Sequence, residues 1–359
     1  MTKIHYIICM KGEGKMTVEQ IKTQLNNQEY DFLRNSKYLG KNIILLGLGG
    51  SYAYGTNWND GSSDIDVRGA ALNQKKDILL KRDFDQIVDN DTDTTIYSFE
   101  KLVSLLTNMN PNTCEIVGLK PEHYLYISSI GQELLDNVDM FLSKRCVKSF
   151  IQYELQQVYR LKQATAGLKD QSELEQHILN TMNNMMLHFG ERYTPFPEDS
   201  INLYIDKSEQ PDYDTEIFMD LHVTHYPLRD WRGMWSEMNS TVKSYNKIGK
   251  RNKHAIEKGK LGKHMYNTIR LPLMCCDILE KKQIITFREK EHDLLMSMKR
   301  NEWLDERGMP IKDFFKLTDE LNDKVEEIAK KSDLPEQPDY ERIDNFVASV
   351  NERSVRDDV

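Results

Sequence analysis

The apolar positions of this chain follow two regimes, one strand-like and one helical. Residues 17–38 predict a helix, with Thr17 placed to cap it and Glu19 and Gln20 in its first turn. Residues 42–48 form a short aliphatic run ending in Gly47-Leu48-Gly49-Gly50-Ser51, where the chain must turn. Residues 57–63, rich in Asn, Asp, Gly and Ser, read as a loop. Over 64–72 the pattern alternates, with Ile65 and Val67 opposite Asp64, Asp66 and Arg68, which predicts a half-buried strand. A third strand is expected over 92–97, followed by a helix over Phe99–Thr107 with Ser98 as its cap. From about residue 130 helical spacing dominates, over 130–141, 147–168, 173–189, 228–248, 262–281, 289–299, 311–331 and 340–350. Two strands of a small excursion are expected at 200–206 and 216–224. The layout is an α/β (α+β) core with a mixed β-sheet over 17–130, then a mostly helical domain over 131–359.

Composition narrows the class. With 39% hydrophobic and 29% charged residues, the 359-residue chain has the make-up of a soluble globular protein of one to three units. Its longest apolar run is far short of the ~20 residues that cross a bilayer, so no membrane association is expected. Neither a signal peptide nor a disulfide or zinc pattern is visible among Cys9, Cys114, Cys146, Cys275 and Cys276, and a reducing cytoplasm is the natural setting. Lys11-Gly12-Glu13-Gly14-Lys15 can be encoded by purine-rich codons resembling a ribosome-binding site, so residues 1–16 read as a translated, disordered leader with Met16 as the true start.

The formal charge of -9 argues against a general nucleic-acid coat protein. Residues 243–264 run against that total, with eight Lys or Arg and only Glu257 opposing them. Such a segment can receive a polynucleotide backbone or a triphosphate tail, or can simply be a solvated helix end. Within and beyond it, Lys263 and Arg270 are seven residues apart. On one helix they would share a face and could point across a cleft between the two domains at phosphates.

The chemistry concentrates between residues 47 and 97. Glycines at the strand-to-turn element let the backbone approach a ligand closely, and the Ser51 hydroxyl adds a donor for phosphate oxygens. Thirteen residues after Ser51 come Asp64-Ile65-Asp66. On a strand such carboxylates face the same way with Cα atoms about 6.6 Å apart, an arrangement that can hold paired Mg²⁺ ions for an in-line displacement at phosphorus. A third carboxylate is expected on a neighbouring strand. Asp93 is the first candidate because it shares parity with Thr95 and Tyr97; Asp91 follows and Asp89 is more distant. Tyr52, Tyr54 and Trp58 could stack on a base or pack. Arg68 could meet a phosphate or pair with an acidic neighbour. His222 and His225 are expected to face opposite sides of a strand, and Met182, Met185 and Met186 to be core.

Gly50-Ser51-Tyr52-Ala53-Tyr54-Gly55-Thr56 and Ser63-Asp64-Ile65-Asp66-Val67-Arg68-Gly69 resemble the nucleotidyltransferases of the DNA polymerase β superfamily that are linked to RNA repair. Asp93-Thr94-Thr95-Ile96-Tyr97-Ser98 is similar to that family's third-carboxylate strand, and Asn110-Pro111-Asn112 with Glu115 to the segment after it. Lys263-His264-Met265-Tyr266 with Ile269-Arg270, and Lys299-Arg300-Asn301-Glu302, resemble its conserved helix pair, although Asn267 stands where a histidine is expected.

The resemblance implies transfer of an NMP from an NTP with loss of pyrophosphate. Mg²⁺ (or Mn²⁺) would be held by Asp64, Asp66 and Asp93, and the nucleotide by Gly50, Ser51, Arg68, Lys263 and Arg270. Three acceptor hypotheses compete: an RNA 3′ end (a tRNA or a repair substrate), a small-molecule or protein hydroxyl, and no acceptor at all in a non-catalytic nucleotide-binding module.

Overall fold

A computed structural model describes residues 16–82, 84–166, 171–195, 197, 200–209, 215–239, 241–242, 260–306 and 308–356. The first sheet is built on β1, Ile43–Leu48, whose six positions are all buried, as expected for a strand covered on both faces. Around it lie β2 (Val67–Ala71), β3 (Gln86–Asp89), β4 (Thr94–Ser98) and β5 (Tyr124–Ile127), in the spatial order β3-β4-β2-β1-β5. β1 runs antiparallel to β2 and β5, and β3 antiparallel to β4, while β2 and β4 are parallel. The sheet is therefore mixed, as the sequence suggested.

Several elements differ from the sequence reading. The helix expected over 17–38 stops early: Val18–Gln24 has a full capping box between Thr17 and Gln20, and then Gln28–Tyr30 and Phe32–Asn35 form separate short turns. The polar stretch Asn26-Asn27-Gln28 interrupts the apolar spacing, and Asn27 is extended. Part of the acidic loop forms β3, an edge strand whose exposure alternates because only one face meets the core. β5, unanticipated, is the other edge, and it leads into Ser129–Asp136, a helix capped by Ser128. Phe99–Thr107 begins at its Ser98 cap as expected, with Phe99, Leu102 and Leu106 fully buried.

The second half is helical: Arg145–Ala166, Gln171–Leu187, 228–239, Lys260–Lys281, His292–Lys299, Lys312–Lys331 and Tyr340–Arg356. β6 (Ile201–Lys207) and β7 (Thr215–Leu221) pair as the expected hairpin, and His222 and His225 follow it rather than lying within it. The proposed leader through Lys15, and the basic segment over 243–259, lie outside the described residues.

The chain divides into two compact units. One comprises Met1–Leu155, Tyr266–Ser297 and Lys316–Val359 and contains the five-stranded sheet. The other comprises Gln156–Met265 and Met298–Phe315; its core gathers Met182, Met234 and Met238 with the partly buried Met185 and Met186. The three methionines singled out by spacing are thus packing residues. Among the described residues no helix is long and apolar enough to cross a membrane.

Candidate active site

The glycine turn and the carboxylate pair meet at the end of β1. The β1–β2 ladder continues one step beyond the strands, where the Gly49 N–H donates to the Asp66 carbonyl at 2.8 Å. The chain then turns into the short helix Gly50–Tyr54, entered through Gly50 at φ +52 and left through Gly55 at φ +72. A Cβ on Gly50 would lie 1.9 Å from Asp66 Oδ2 and 2.7 Å from its Cγ. Glycine is needed twice over, for a left-handed backbone and for the room the carboxylate occupies. The first turn of a helix leaves its N–H groups without intrahelical acceptors, and here these belong to Gly50, Ser51 and Tyr52.

All three candidate carboxylates lie just outside strands, not on a strand face. Asp64 is exposed and Asp66 half-buried, immediately before β2. Asp93, exposed and at φ +46, immediately precedes β4. The parallel register pairs Val67 with Thr94, and the Val67 N–H donates to the Asp93 carbonyl at 3.3 Å, so Asp66 and Asp93 are neighbours at one end of the sheet. Arg68 joins them: Nη2 meets Asp66 Oδ1 at 3.0 Å, and Nη1 donates to the carbonyls of Val67 and Asp93. Asp89 is occupied otherwise, accepting from the Thr92 N–H and hydroxyl, and Asp91 is exposed in the turn.

These hard oxygen donors suit Mg²⁺ or Mn²⁺ in kind. The space that a Gly50 side chain would fill keeps Asp66 Oδ2 at the phosphate turn. Among the described residues, however, no three His, Cys, Asp or Glu side chains already converge as a metal-ligating group.

Residues 10–173 match the family model described as the RNA repair pathway DNA polymerase beta family. That segment of the chain belongs to this family. The family is one of DNA polymerase β-type nucleotidyltransferases associated with RNA repair, which implies an enzyme of that type. Neither a search of curated proteins nor one of solved structures finds a match.

Within this family segment, the helix behind the glycine turn is fastened by residues that follow far later. Tyr54 is buried, and its hydroxyl accepts from Arg270 Nη1, while the guanidinium carbon lies 3.9 Å from the centre of the Tyr54 ring. Arg270 Nη1 also meets Glu115 Oε1 at 2.8 Å, and Nη2 meets Asn267 Oδ1 at 3.3 Å. Burial pushes the Tyr54 hydroxyl well above the usual phenol range, with the nearby Arg270 opposing. Burial would lower the Arg270 pKa, but Tyr54 and Glu115 outweigh it and the guanidinium stays charged. Next to it, the Tyr266 hydroxyl lies 3.1 Å from Thr56 Oγ1 and is pushed up to about 12, chiefly by burial.

Arg270 is thus committed to Glu115 and Tyr54, whereas Lys263, on the same helix Lys260–Lys281, is exposed. Tyr52 and Tyr54 are both packed in the interior, and Trp58 is half-buried. The role of Glu115 was not visible in its own segment, where it stands among the apolar residues of Pro111–Val117. A lone charge on an otherwise buried helix was the signal that it had a partner. In the second unit Lys263 and Lys299 are near enough to interact. Burial first, and Lys263 second, bring the Lys299 ammonium down to about 8.

Proposed function

We propose that the chain is a metal-dependent nucleotidyltransferase that moves an NMP from an NTP to the 3′ hydroxyl of an RNA. The acceptor oxygen forms a bond to the α-phosphorus, the bond from that phosphorus to the β-bridging oxygen breaks, and pyrophosphate leaves. The observation that carries this reading is the contact of Gly50 with Asp66, which joins a phosphate-binding turn to a carboxylate within one van der Waals contact.

Gly50 and Ser51 receive the β- and γ-phosphates through backbone N–H groups and a hydroxyl. Asp64, Asp66 and Asp93 hold Mg²⁺ or Mn²⁺, which when bound supplies charge neutralisation for the pentavalent transition state. Asp93 helps to take the proton of the attacking hydroxyl. Arg68 orients Asp66 and adds positive charge beside the triphosphate. Lys263 offers an exposed cation to the RNA backbone. Positioning and electrostatics carry most of the rate, as in phosphoryl-type transfer generally. The buried thiols of Cys114, Cys146, Cys275 and Cys276, all free, support a reducing cytoplasmic setting.

The test is incubation with each labelled NTP, Mg²⁺ or Mn²⁺ and total RNA, comparing wild type with Asp64→Asn/Asp66→Asn. Label should enter RNA with the wild type and fall at least a hundredfold with the variant. Equal labelling by both proteins rejects the mechanism, and label on protein instead of RNA rejects the acceptor.

A further inference from the structure

At the opposite end of β1 from the glycine turn, the first unit encloses a cavity of about 700 Å³, in the range of small-ligand sites. From Ile43 to Gly49 the chain climbs six strand residues, about 20 Å at ~3.4 Å each, so this cavity is separate from the carboxylate end. Its floor is aliphatic: Ile43, Ile44 and Ile130 are 6%, 2% and 2% exposed. One wall is the helix Lys75–Leu80, which turns Leu79 and Leu80 to solvent at 62% and 49% exposure.

Lys41, Lys75 and Lys76 also line it, and no carboxylate does. Among the described residues none of these three ammonium groups is in a salt bridge, although most lysines and arginines of unit one that are near a carboxylate are paired, as Lys101 is with Asp85 and Arg353 with Glu133. Three cations around one concavity, in a chain of net charge -9, make a local field that only an anion balances. Exposed leucines beside that charge favour a ligand with an apolar, flat body as well as an anionic head.

We propose that this cavity binds a nucleoside phosphate. Its phosphate rests among Lys41, Lys75 and Lys76, and its base lies against Leu79 and Leu80 above the aliphatic floor. A free nucleotide and the terminal nucleotide of an RNA strand share this chemistry. The site stands on its own lining and does not depend on the transfer reaction.

The test is equilibrium binding of AMP, adenosine and a short 5′-phosphorylated oligoribonucleotide to the full chain, with amide exchange recorded for the AMP complex. Lys41→Ala/Lys75→Ala/Lys76→Ala changes only exposed side chains and leaves the fold intact. Affinity for AMP should drop at least tenfold in the triple variant, adenosine should bind weakly to both proteins, and AMP should slow exchange over 72–80 and 127–131. Leu79→Ser/Leu80→Ser should weaken AMP while leaving inorganic phosphate unchanged. Displacement of AMP by the oligonucleotide identifies the source as RNA, with a salt slope that falls by about 2 in the lysine variant, at about 0.7 per phosphate contact. Displacement by AMP alone identifies a free nucleotide. AMP binding within twofold of wild type in the lysine variant, or protection confined to 48–56, overturns the proposal.

Discussion

Gly50→Ala isolates the contact on which the active-site reading rests. The added Cβ would lie 1.9 Å from Asp66 Oδ2, whereas contact normally begins at about 3.2 Å, so the carboxylate must retreat by more than 1 Å. It cannot do so freely, because Oδ1 is held by Arg68 at 3.0 Å. A non-glycine residue at φ +52 costs about 1–2 kcal/mol, an off-rotamer Asp66 about 1, and loss of a half-exposed ion pair at most about 1. The total of about 2–4 kcal/mol is less than the stability of an ordinary domain, so the variant folds with a Tm lowered by several degrees. Misplacing a catalytic group by about 1 Å costs on the order of a hundredfold in rate. The assay is NTP-dependent labelling of RNA alongside a thermal melt. Gly49→Ala serves as the graded control, since its Cβ would meet Asp66 Cβ and Arg68 Cγ at 3.0 Å and φ is an ordinary -110. Gly50→Ala/Asp66→Ser should recover the Tm and not the activity. A Gly50→Ala protein with wild-type turnover and wild-type Tm would refute the reasoning.

Two further outcomes are expected. Arg270→Leu should cost about 3–5 kcal/mol in urea unfolding because it strands Glu115 as a buried charge, and Arg270→Leu/Glu115→Leu should restore much of that; a double variant no more stable than the single one would show that the pair is not the source of the loss. For Lys299 the sign follows from its lowered pKa: between about 8 and 10.5 the unfolded chain retains a proton that the folded one has released, so stability rises with pH across that window and the penalty is complete below it. Lys299→Met should therefore raise the Tm at pH 7 and flatten the rise, as melts across pH 7–10.5 will reveal.

The sequence by itself determined the local parts of this protein. The glycine turn after an aliphatic strand, the two aspartates thirteen residues on, the Ser98 cap and the helical spacing of the second half are all short-range patterns, set by backbone freedom and by which face of an element is apolar. Tertiary structure decided what those parts touch. The sequence order does not say that β2 and β4 pair in parallel, which is what brings Asp93 beside Asp66. Nor does it say that Arg270 turns inward to a glutamate 155 residues away and a tyrosine 216 away. The edge strands β3 and β5 were invisible because a strand paired along one edge needs little apolar periodicity of its own. The lysine-lined cavity likewise exists only once residues 41, 75 and 76 are folded together. Propensity acts over a few residues, whereas ion pairs, register and cavities are properties of surfaces that meet only when the chain has closed on itself.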